Sequence, residues 1–179
     1  MACMDYKIIR SSRRTVALQI KAGCVVVRCP YGTKAEWIDR FVASKRDWIE
    51  EKLRKHPVVE PMGAEALERL KRSARALLPD RVKTLADLMG VSYGRITIRA
   101  QRSRWGSCSS AGNLNFNCLL MVVPEQVRDY VIVHELCHRL YMNHSALFWK
   151  TVEKYVPDYR QKRAWLKANG DALIGSLPE

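Results

Sequence analysis

The sequence predicts an α+β fold in which a small antiparallel sheet lies beside one buried helix, preceded by a lobe built from a β-hairpin and a helix. Three observations lead to this. From Tyr6 to Arg28 apolar and polar side chains alternate with the period of strands. From Thr33 onward most of the chain carries the period of helices. Between Pro124 and Met142, apolar residues occupy two opposite faces of a single helix, Val127 and Val131 on one and Ile132, Leu136 and Leu140 on the other, as in a helix buried all round.

The elements follow in order. Tyr6 to Arg10, then Val16, Leu18 and Ile20, then Val25 to Val27 read as strands, with Lys21-Ala22-Gly23 turning the last two into a hairpin. Thr33-Lys34-Ala35-Glu36 has the form of a capping box and opens a helix that should bury Trp37, Phe41, Val42, Trp48, Ile49 and Leu53. Lys55 to Pro61, with two prolines, is the linker candidate, dividing a lobe of residues 1–56 from a region of residues 62–179. His56 reads as a surface residue at a helix end.

Ala64 to Met89 is helical, interrupted or kinked at Pro79 and closed by Gly90. Tyr93 to Gln101 is a strand with Ile96 and Ile98 on one side. Arg104 to Asn117 reads as a hairpin turning at Ser110-Ala111-Gly112. This hairpin either covers the buried helix or offers a free edge for a peptide to pair with. Pro124 suits the first position of the buried helix and Glu125 its positive end. A further helix, Ala146 to Tyr155, should turn Leu147, Phe148, Val152 and Tyr155 inward. The last helix opens at Pro157 and should stop at Asn169-Gly170.

The buried helix carries His134-Glu135-Leu136-Cys137-His138, and His144 follows after five intervening residues. Residues four apart lie on one helical face, so the His134 and His138 imidazoles converge on one point. Zinc binds neutral imidazole nitrogens tetrahedrally, and hydrolytic zinc sites use three protein ligands and one water. His144 is the favoured third ligand, and Glu153 on the following helix is its rival, since two-His-one-Glu sites also occur. Glu135 lies about 100° round the helix from His134, placed for a general base rather than a ligand. Of the four histidines, three fall in this window. Two histidines and a glutamate in a buried helix are costly unless bonded or metal-bound.

The H-E-x-x-H-x5-H spacing is shared with metzincins, which place a glycine three residues after the second histidine. Here that residue is Tyr141, and no methionine follows His144, so that class is rejected. Tyrosine suits φ > 0 poorly, so the helix should run about one turn further and break near Asn143, with Ser145 capping the next helix.

The runs Arg104-Trp105-Gly106-Ser107-Cys108-Ser109, Asn113-Leu114-Asn115-Phe116-Asn117, Tyr130 to His138, Met142-Asn143-His144-Ser145 and Phe148-Trp149 resemble the YgjP-like family of zinc metallopeptidases, which is similar to the SprT-like and WLM groups. The resemblance is strongest from Arg99 to Gly170. It implies a minimal zincin-like metallopeptidase domain, one zinc ion per chain on His134, His138 and His144, and Glu135 as catalytic base. Cys118 stands where the family pattern suggests an aromatic residue.

Composition bounds the remaining classes. At 179 residues and 47% hydrophobic, the chain can bury a core as one domain or as a domain with an appended lobe. No apolar span is long enough for a membrane and no secretory signal opens the chain, so a cytoplasmic protein with no membrane partner is expected. The six cysteines form no Cys-x-x-Cys pair and read as reduced thiols. Ser107 and Ser109 have no histidine base assigned, which argues against a serine hydrolase. The leading function is therefore a zinc metallopeptidase acting on a peptide or protein substrate, with Glu135 passing the proton of water to the leaving amine. A metal-dependent hydrolase of a non-peptide substrate is a second reading. The net charge of +13 supports a third, a DNA-associated basic module with nucleic acid as partner. Tyr141, Arg104 and Asn115 are candidates for stabilising an oxyanion.

Overall fold

The computed structural model describes residues 5–21, 24–55 and 61–178. It divides into two compact units, Met1–Pro61 and Met62–Glu179.

The first unit holds strands β1 (Tyr6–Ser11), β2 (Ala17–Lys21) and β3 (Cys24–Pro30), then helices α1 (Ala35–Ser44) and α2 (Arg46–Lys55). The strands lie in the order β1-β3-β2, with β3 parallel to β1 and antiparallel to β2. Strand residues two apart share a face, and Val25, Val27 and Cys29 of β3 pack against Ile38, Val42 and Ile49. The predicted turn residues Ala22 and Gly23, and His56 with most of the predicted linker, lie outside the described residues.

Two expectations fail in this unit. The Thr33 capping box does not form: the Thr33 hydroxyl donates to the Pro30 carbonyl in the turn after β3, and Lys34 takes the N-cap position without a side-chain bond. The single predicted helix is two, broken at Lys45, whose N–H donates to the Val42 carbonyl. With the axis broken, Trp37 and Trp48 remain 43% and 41% exposed, Trp37 stacked on Phe41 and Trp48 covered by Lys52.

The second unit contains α3 (Ala64–Met89), β4 (Ile96–Arg99), β5 (Gly106–Cys108), β6 (Leu114–Asn117), a short 3-10 turn (Cys118–Met121), α4 (Glu125–Cys137), α5 (Ala146–Tyr155) and α6 (Tyr159–Gly175). Pro79 does not interrupt α3. Leu78 and Val82 on either side of it are fully buried, and such packing offsets the roughly 3 kcal/mol that an internal proline costs. Gly90 closes α3 in the left-handed region, at φ 66°. The sheet order is β4-β6-β5, with β6 parallel to β4 and antiparallel to β5. Each sheet thus contains one parallel pair, a correction to the antiparallel sheet expected. In both, the third strand in sequence lies between the first two, parallel to the first and antiparallel to the second. The segment between β4 and β5 is pinned by Asn117, whose buried side-chain amide donates to the carbonyls of Gln101 (2.7 Å) and Arg104 (3.0 Å).

Helix α4 is buried from Val127 to Cys137 on nearly every side, except at the half-buried Asp129 and His134. It ends earlier than predicted. After Cys137 the chain tightens: the Leu140 and Tyr141 N–H groups both donate to the Cys137 carbonyl, and Leu140 is left 51% exposed. Ser145 caps α5 by accepting from the Phe148 N–H, as expected, while Leu147 faces solvent and Phe148 and Val152 face inward. Helix α6 runs through Gly170, which does not stop it: the bare backbone there lets the Trp105 ring pack close, 3.4 Å from where a Cβ would be. Cys118 is buried at the start of the 3-10 turn, its small side chain fitting beneath α3. Among the described residues, no helix is long and apolar enough to cross a membrane.

Candidate metal centre

Helix α4 presents His134 and His138 one turn apart, and the tight turn that follows returns the chain so that His144 meets them. One ligand nitrogen from each of the three lies within 4.8 Å of the others. His144 Nε2 stands 3.1 Å from His134 Nε2. Phe148, first turn of α5, closes the floor, its ring centroid 4.7–4.9 Å from all three imidazoles. Trp149 stacks on His144, Tyr159 stacks on Trp149, and Arg163 lies over the Trp149 ring at 5.1 Å.

Hydrogen bonding sets the tautomer of one ring. His138 Nδ1 is 3.0 Å from the Tyr141 carbonyl oxygen, which can only accept, so Nδ1 carries the proton and Nε2 keeps its lone pair. His134 Nδ1 is buried without a hydrogen-bond partner among the described residues, so the polar contacts of that ring run through Nε2. Burial, then the proximity of His138 and His144, holds His134 down to about 3. Burial and His138 also lower His144. Both rings are thus neutral at pH 7, the form in which imidazole ligates a cation.

Glu135 is 6% exposed, and burial raises its carboxyl to about 8, with Arg104 pulling the other way. Its closest constraint is Gly106 of β5. A Cβ at that position would lie 2.7 Å from Glu135 Cγ and 2.8 Å from Oε1, so only glycine admits the carboxyl where it stands.

The three motif histidines are thus together, and Glu135 follows His134 directly on α4 with its carboxyl buried. Glu153 is apart from them, paired with Arg160 at 2.8 Å. Of the oxyanion candidates, Arg104 reaches Glu135 electrostatically, Tyr141 contributes its carbonyl to His138, and Asn115 donates to Ser107 on the sheet. Burial pushes the thiols of Cys108, Cys118 and Cys137 up, Cys137 to about 12, which leaves them unsuited as nucleophiles. Sequence reasoning missed Gly106 and the Phe148–Trp149–Arg163 wall. Part of the wall had a signal: Arg163 lies four residues after Tyr159, one turn along α6.

The chain matches the family model for the YgjP-like metallopeptidase domain over residues 14–69 and 59–169. No curated relative matches it. Two solved structures are similar. The metallopeptidase zymogen abylysin of Pyrococcus abyssi is 22% identical over 50% of this chain and 91% of its own, with a TM-score of 0.47. The metallopeptidase zymogen jannalysin of Methanocaldococcus jannaschii is 21% identical over 49% of this chain and 93% of its own, with a TM-score of 0.43.

Proposed function

The chain belongs to the YgjP-like metallopeptidase family, and on that premise we propose that it is a zinc-dependent peptidase in which His134, His138 and His144 hold one zinc ion and Glu135 is the general base. The observation that carries this is the convergence of three imidazole nitrogens, two of them from a helix that also buries the Glu135 carboxyl. Three imidazoles are a donor set that zinc takes, and one pair already has its spacing. Tetrahedral bonds of about 2.0–2.1 Å separate two nitrogens by about 3.3 Å, and the His134 and His144 nitrogens are 3.1 Å apart. Bound zinc supplies Lewis acidity, polarising the scissile carbonyl and lowering the pKa of a water to about 7.

The protein supplies the rest. The Tyr141 carbonyl orients His138, and Phe148 excludes water from behind the three rings. The Glu135 carboxylate takes the proton of the attacking water and delivers it to the leaving amine nitrogen. A nearby dication and Arg104 both favour the ionised form that this step needs, against the burial that raises the free acid to about 8.

Replacement tests the assignments separately. Glu135→Gln keeps the shape but cannot take a proton, so it should retain zinc and lose peptide hydrolysis by roughly a hundredfold or more. His144→Ala should lower zinc content far more than Glu153→Ala, because Glu153 is engaged by Arg160. The reverse ranking in elemental analysis refutes the three-histidine site, and undiminished turnover in Glu135→Gln refutes the base.

A further inference from the structure

Alternation across the second sheet separates two chemistries. Ser107 stands opposite Asn115, and Thr97 opposite the same residue on the other side. Directly opposed residues share a face, as do residues two apart along a strand. Thr97, Arg99, Asn115 and Ser107 therefore share one face. The other bears Ile96, Ile98, Leu114 and Phe116, which join the core, and Gly106, which touches Glu135. On the polar face a cavity of about 360 Å³ is lined by Arg99, Gln101, Ser103, Arg104, Ser107 and Asn115.

We propose that this cavity is a specificity site that takes a carboxylate of the substrate peptide. The inference rests on the peptidase reading above. Its wall holds two guanidinium groups and four hydroxyl or amide side chains, and no acidic residue. Among the described residues neither Arg99 nor Arg104 forms an ion pair or a side-chain hydrogen bond. Two like charges in one cavity repel, and an anion between them relieves the repulsion while its oxygens accept from the fork of each guanidinium. The cavity is preformed, because Asn117 fastens both ends of the segment that carries Ser103 and Arg104.

The cavity is also linked to the metal centre. Arg104 lines it and acts on the Glu135 carboxyl, and Ser107 follows Gly106, which touches that carboxyl. β5 is an edge strand of its sheet. A peptide paired along that edge turns alternate side chains to opposite faces, one toward Glu135 and the next toward Arg99 and Asn115. A carboxylate there anchors the peptide beside the bond to be cut. The chain's net charge of +13 favours the encounter with acidic peptides.

The test uses the zinc-loaded full chain and a quenched-fluorescent peptide library in which each position in turn is Glu, Gln or Lys. The C-terminus is free in one arm and amidated in the other, which separates a side-chain carboxylate from a terminal one. Glu over Gln at one position, or free acid over amide, should raise kcat/KM about tenfold through KM, and the gain should shrink with salt. Arg99→Ala should abolish the preference, read as the ratio of kcat/KM for the Glu and Gln peptides. Arg99→Glu should turn it toward Lys. A preference that is absent, or indifferent to Arg99, overturns the proposal. So does single-stranded oligonucleotide binding that Arg99→Glu weakens while the peptide preference stays unmoved, which assigns the cavity to phosphate. If no peptide is cleaved, the peptidase reading fails, and anisotropy binding of the same peptides then decides the cavity. Tighter binding of acidic peptides that Arg99→Glu abolishes supports it, and equal binding overturns it.

Discussion

Gly106→Ala isolates the geometry of the proposed base from the metal and from the fold. The added Cβ would sit 2.7 Å from Glu135 Cγ, 2.8 Å from Oε1 and 3.0 Å from Cδ, where ordinary contact starts at 3.4 Å. The carboxyl must therefore retreat by roughly 0.7 Å, the difference between 3.4 and 2.7 Å. A misplacement of about 1 Å at a reacting group costs on the order of a hundredfold, so a tenfold to hundredfold fall in kcat is expected. The histidines are untouched, so zinc content should be that of the parent chain. Alanine suits a strand at least as well as glycine, so any loss in Tm should be small. Steady-state kinetics, elemental analysis and thermal unfolding on one preparation read the three quantities. A double-mutant cycle sharpens the test: in the Glu135→Gln background, Gly106→Ala should cost almost nothing further, because the group it displaces no longer acts. Full turnover in Gly106→Ala with zinc retained, or equal losses in both backgrounds, refutes the reasoning.

Two further outcomes follow from the same site. In chelated protein, the folded chain keeps a proton on Glu135 between pH 4.5 and about 8 that the unfolded chain has released, so stability falls as pH rises through that window. Between pH 6.5 and about 3 the unfolded chain binds a proton that folded His134 refuses, so stability falls as pH drops. The slopes oppose one another where the windows overlap. Urea midpoints in chelator should accordingly be flat from pH 4.5 to 6.5 and decline on either side, and a chelated protein most stable at pH 8 contradicts this. Phe148→Ala removes a fully buried ring that touches all three imidazoles. It should cost about 3–5 kcal/mol in unfolding free energy and weaken zinc retention against a competing chelator, and an unchanged Tm counts against the packing role.

What the sequence made legible was whatever a local pattern decides. Alternation marked the strands, Ser145 announced the cap of α5, and His134, Glu135 and His138 declared their spacing on a helix whose two apolar faces imply burial. The misreadings arise where a partner outside the expected pattern overrules a local signal. Thr33 has the right neighbours for a capping box, yet its hydroxyl is taken by Pro30 in the turn before it. Gly170 looks like a helix stop, yet it is a contact for Trp105 inside α6. Parallel pairing of β4 with β6 depends on where β5 is placed, and no residue in any of the three strands encodes that alone.

The candidate metal site shows the same division. His144 could be named from its distance along the chain, but the turn that delivers it is not the extra helical turn that Tyr141 suggested. The Cys137 carbonyl accepts from both Leu140 and Tyr141, tightening the backbone, and the Tyr141 carbonyl then lies 3.0 Å from His138 Nδ1. The turn that brings the third histidine also fixes the tautomer of the second, so His138 is oriented before any metal arrives. Gly106 was invisible for a different reason. A glycine in a short strand carries no sign of what it must admit, and the Glu135 carboxyl 29 residues later supplies the reason only once β5 lies against α4.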